Sequence, residues 1–103
     1  MAEWHATENG LPSEGGVVLL HEEYWEDGAG AGITLERDCT YAPVAITCGV
    51  YGTMVHTRYF GSVAEAEAAF DDMKPGLVAL VRVALTGNIS GDPFKAFVDR
   101  FPT

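Results

Sequence analysis

The stretch Thr53–Met73, TMVHTRYFGSVAEAEAAFDDM, changes its period at Gly61-Ser62. Up to Phe60 the residues alternate between apolar and polar, the two-residue period of a strand with one face inward. Beyond Ser62 the apolar residues recur at three and four, through Ala66, Phe70, Met73, Leu77, Leu80 and Ala84, the period of a helix. Working back from the break, ITLERDC (33–39) and VAITCGV (44–50) alternate in the same way. A run of strands followed by helices is the signature of an α+β domain.

Four strands follow, at Gly16–Trp25, Ile33–Cys39, Val44–Val50 and Thr53–Phe60. Val, Tyr and Trp in GVVLLHEEYWE suit a pleated surface. DGAGAG reads as a flexible connection between the first two strands. It is not a phosphate loop, because a strand follows it and acids surround it. Short connections make the strands antiparallel neighbours, a four-stranded β-meander. Ser62 and Glu65 match a capping box that opens the long helix. Pro75-Gly76 interrupts that helix, yet the apolar stripe keeps step across it. We therefore read one Pro75-kinked helix, or two nearly in line, ending at Gly87. A fifth strand over Leu77–Leu85 is the competing reading, on the β-formers Val78, Val81 and Val83. Asp92 and Pro93 open a short C-terminal helix with Phe94, Phe97, Val98 and Phe101 on one face. Residues 1–15 have no period and read as a flexible tail anchored by Trp4, leaving 16–103 as a single domain.

The 103 residues are enough for one domain and one core. The net charge of −9 is uneven, −11 over residues 1–72 and +2 over residues 73–103. Such a surface repels phosphate backbones, so direct nucleic-acid binding is not expected; it suits solubility or a basic partner. No apolar run approaches the ~18 residues of a membrane span, and the N-terminus has no signal-peptide pattern. A cytoplasmic protein that does not bind membranes is the expectation.

Register decides the candidate sites. A two-residue loop at Tyr51-Gly52 pairs Val50 with Thr53 and Cys48 with Val55. A loop at Thr40–Pro43 pairs Cys39 with Val44 and Leu35 with Cys48. Both place Ile33, Leu35, Cys39, Val44, Ile46, Cys48, Val50, Val55 and Tyr59 on one face, with Arg37 as the misfit. Cys39 and Cys48 then lie about 13 Å apart, too far for a disulfide, and read as buried hydrophobes. His56 falls on the face opposite Cys48, so the two make no metal pair, and no metal motif or cofactor is expected. On the opposite face Glu36, Thr47 and His56 form one lateral row, with Asp38 and Arg58 in the next. A carboxylate beside a histidine can orient an imidazole, and an Asp–Arg pair can bind a carboxylate or neutralise itself. Tyr24-Trp25 reads as a core ring beside one that caps its edge.

The leading functional expectation is a non-enzymatic protein-interaction or regulatory module. It would use its acidic surface or its open sheet face to bind a basic protein or a second copy of itself; acidic mimicry of nucleic acid is a version of the same idea. The alternative is a small-molecule binding or catalytic domain built on Glu36, Thr47, His56, Asp38 and Arg58.

Overall fold

In the computed structural model, which describes residues 3–8, 10–87 and 92–102, the alternation becomes five antiparallel strands in sequential order. They are β1 (His5–Ala6), β2 (Val17–Glu26), β3 (Ala29–Arg37), β4 (Val44–Val50) and β5 (Met54–Phe60). Two helices follow, α1 (Val63–Leu85) and α2 (Asp92–Arg100). The α+β class and the helix-packed antiparallel sheet are as the periods require, but the sheet has five strands and not four. The additional strand, β1, comes from the stretch expected to be a tail. It pairs His5 with Glu23 and Ala6 with Glu22.

The helix α1 covers one face of the sheet and packs chiefly on β3 and β4. Its buried stripe Ala66, Phe70, Met73, Leu77, Leu80 and Val81 meets Tyr24, Ile33, Leu35, Val44, Ile46, Cys48 and Val50. The helical period thus prevails over the β-propensity of Val78, Val81 and Val83, and α1 runs unbroken through Pro75. Ser62 caps it, accepting the Glu65 N–H at 3.3 Å. Gly76 lets α2 dock, because a Cβ there would lie 2.9 Å from the Phe97 ring. Phe97 and Phe101 pack together with ring centroids 5.0 Å apart. On the other flank Lys74 bonds Glu22 at 2.7 Å, with its ammonium 4.8 Å from the Phe70 centroid and 5.9 Å from that of Trp4.

Three connections differ from the expected ones. DGAGAG is a two-residue turn, Asp27-Gly28, followed by strand, with Glu26 paired to Ala29. Both turn residues have positive φ, 50° and 88°, as the tight Asp-Gly hairpin demands. Between β3 and β4 the loop spans residues 38–43 and is closed by Asp38 N–H donating to Pro43 O at 2.7 Å. That moves the register by two, so Ile33 pairs with Cys48 and Arg37 with Val44. The inward face is preserved, and Cys39 leaves the strand. Between β4 and β5, Thr53 N–H donates to Val50 O at 2.9 Å and Gly52 sits at φ 78°. The turn therefore holds three residues, and Val50 pairs with Met54 and Cys48 with His56. A shift of one residue turns every side chain of β5 over.

Candidate functional site

The turned-over β5 disperses the expected row. His56 now faces the helices, where Nε2 lies 2.5 Å from Phe101 O and the ring stands edge-on to Phe97. Arg58 faces the same way, bonding Pro102 O at 3.2 Å beneath the Phe60 and Phe101 rings. Val55 and Tyr59, expected in the core, are exposed on the opposite face. Asp38 has left the strand at φ 55° and pairs with its neighbour Arg37. Of the five expected site residues, Glu36 and Thr47 remain together on the face that no helix covers.

That open face is crossed by residues 10–16, which form a strap over its lower half. Glu36 is fully buried beneath the strap and accepts four donors from it. Ser13 N–H reaches Oε1 at 2.9 Å and Ser13 Oγ reaches it at 3.1 Å; Glu14 and Gly16 N–H each reach Oε2 at 3.2 Å. An acceptor-only carboxylate is satisfied by such a ring of donors, which offsets its desolvation. Gly15 at φ 77° lets the strap curl around it. Ser13 Oγ also lies 2.6 Å from Thr47 Oγ1, and Tyr59 OH donates to Glu14 at 2.5 Å.

The upper half of the face is open and concave. A cavity of about 440 Å³ is lined by side chains or backbone of His21, Gly32, Thr34, Thr47, Gly49, Tyr51 and Val55. Its floor is a glycine pair, because Gly32 on β3 stands directly opposite Gly49 on β4. A glycine within a strand brings bare backbone to the surface and permits close approach. A Cβ on Gly32 would overlap the Tyr51 hydroxyl, and one on Gly49 would lie 2.6 Å from Met54 O. One end carries a polar string: Thr34 Oγ1 is 2.7 Å from His21 Nδ1, and His21 Nε2 is 3.2 Å from Glu23 Oε2. Trp25 Nε1–H and Tyr51 OH also donate to Glu23, at 3.1 and 3.2 Å, and their rings stack at 5.2 Å.

The electrostatics follow these contacts. The Trp25 N–H foremost, then His21, hold the Glu23 carboxyl below its ordinary value against the opposing effect of burial. Burial first, and Glu23 second, push the Tyr51 phenol up to about 12. Burial likewise raises the Cys48 thiol to about 12, and that side chain faces the core. Among the described residues no group of His, Cys, Asp or Glu is arranged to hold a metal ion.

The cavity residues could have been found in two signals. His21, Glu23 and Trp25 alternate with Glu22, Tyr24 and Glu26 along β2, so they share the face of Thr34. The alternating glycines of AGAG, with Gly49 in VAITCGV, mark positions without side chains: the Trp25 ring lies over Gly30 and the Tyr51 hydroxyl over Gly32. Helices are not the only elements in view: no helix of the described residues is long and apolar enough to cross a membrane, while the strands form this open sheet. Compared with known proteins, no family model matches this chain, and neither does a curated protein or a solved structure.

Proposed function

We propose that the protein is a non-enzymatic binding module whose site is the cavity on the open sheet face, taking a small flat molecule against the Gly32–Gly49 floor. The observation that carries this reading is the concavity of about 440 Å³ itself, within the ~300–1,000 Å³ range of small-molecule sites. A few polar groups at one end of an otherwise apolar trough are what such sites use to fix orientation. The reading keeps Thr47 from the expected site and replaces His56 with His21. Filling the mouth tests it. Val55 is 79% exposed, so Val55→Trp costs the core nothing. A screen of flat aromatic fragments by thermal shift should give binders that raise Tm in the parent and not in Val55→Trp. Binders indifferent to Val55→Trp would place the site elsewhere and refute the reading.

A specific observation favours a second reading, docking of a basic protein on the same face. Trp25, Tyr51 and Val55 are large and exposed; Tyr51 and Val55 line the cavity, Trp25 stacks on Tyr51, and aromatic groups of this kind anchor protein interfaces. With −11 over the first 72 residues, such a complex would be steered by charge. Its affinity would fall steeply with added salt, whereas a small neutral ligand in the cavity would be insensitive to it.

A further inference from the structure

We infer that Thr34, Thr47 and Tyr51 present the cavity with hydrogen-bond acceptors and no donors, so a ligand seated against them is a flat molecule that brings its own N–H or O–H donor. This rests on the cavity being the binding site, and it follows from tracing each proton in the hydroxyl network.

Glu23 receives Trp25 Nε1–H, which can only donate, together with Tyr51 OH and His21 Nε2. A carboxylate in this position accepts on both oxygens, so the His21 proton sits on Nε2. In the tautomer that carries its one proton on Nε2, Nδ1 is bare and can only accept. Thr34 Oγ1, 2.7 Å away, must therefore donate its one proton to Nδ1. What Thr34 has left for the cavity is lone pairs. Tyr51 is in the same position, its proton committed to Glu23.

The other end runs the same way toward the other carboxylate. Glu36 accepts from backbone N–H groups and from Ser13 Oγ, so the single Ser13 hydroxyl proton is committed to Oε1. The 2.6 Å contact between Ser13 Oγ and Thr47 Oγ1 is then made by the Thr47 proton. Thr57 Oγ1, 3.4 Å from Thr47, donates in turn. Thus Thr34, Tyr51 and Thr47 all line the cavity, and all point their protons away from it. Two carboxylates outside the cavity polarise these three hydroxyls, and Thr53 carries the remaining side-chain hydroxyl of the lining. A ligand acceptor placed there faces lone pairs and stays unpaired, whereas a donor meets acceptors already aligned.

The test uses two neutral isosteres, so that the net charge of the protein plays no part. Indole carries a ring N–H donor, and benzofuran replaces it with a ring oxygen. Each is titrated into the parent protein while the Gly32 and Gly49 amide signals are followed by NMR. Indole should shift both signals and bind about three- to tenfold more tightly than benzofuran, the range of one hydrogen bond. Thr34→Val keeps the shape and Tyr51→Phe keeps the ring; each should narrow the ratio toward one while leaving the benzofuran affinity near its parental value. Their amide spectra report whether each variant is folded. Equal or tighter binding of benzofuran in the parent overturns this inference and leaves the cavity reading standing. If neither compound shifts the Gly32 or Gly49 signal, the cavity reading falls and this inference falls with it.

Discussion

Cys48 shows how one buried side chain sets the response of the protein to alkali. Its folded value of about 12 lies above the ordinary 9.0, so the unfolded chain gives up this proton first as pH rises. The sign is therefore fixed: the contribution is complete below pH 9 and is lost progressively as pH climbs toward 12. Tyr51, raised from 10.0 to about 12, acts in the same direction within the same window. The urea midpoint should hold steady to about pH 9 and then fall. Cys48→Ala should lower the plateau, since it empties core volume, and flatten the fall. A midpoint that stays level to pH 11 would contradict this account. Cys48 was legible as a core residue because its side chain keeps the parity of Ile33 and Leu35. His56 was not, because its face depends on whether a turn holds two residues or three, and Tyr51-Gly52 is compatible with both.

At the level of elements, α1 carries a proline where helices ordinarily lose stability. Pro75 is exposed, gives the helix no N–H, and crowds the preceding turn, at a cost of about 3 kcal/mol in a helix interior. The helix persists because its buried stripe on both sides of Pro75 packs on one sheet. Pro75→Ala should raise stability by about 1–3 kcal/mol, read as an increased urea midpoint with an unchanged slope. No change would mean that the backbone near Asp71 has already adapted to the ring. The elements themselves were largely legible. Strand cores, the Ser62 cap and the phenylalanine face of α2 all follow from period and cap chemistry. What escaped was local: the Asp27-Gly28 hairpin was hidden by the glycines after it, which read as loop but lie in β3. The strap escaped for a different reason. Its order comes from Glu36, twenty or more residues away, and no pattern within residues 10–16 records that partner.

For the molecule as a whole, the segments before β2 and after β5 cover the two faces of one sheet. The helices close one face after the last strand, and the strap closes half of the other before β2 begins. Acidic charge is shared between the strands, with Glu22, Glu23, Glu26 and Glu36, and the first half of α1, with Glu65, Glu67, Asp71 and Asp72, while residues 73–103 carry Lys74, Arg82, Lys95 and Arg100 against Asp92 and Asp99.

The Glu36 clamp has a consequence in time. The strap leaves the ribosome before β3, yet the carboxylate that receives it belongs to β3 and is held in place by the meander. Docking of the strap therefore depends on β3 being in place. Glu36→Gln keeps the shape but turns an acceptor into a donor facing N–H groups, at a cost of about 3 kcal/mol. If docking comes after the rate-limiting step, the folding arm of a chevron should stay where it is, and unfolding should quicken by about a hundredfold. Slower folding instead would mean that the beginning of the chain waits on the growing sheet and helps to build it.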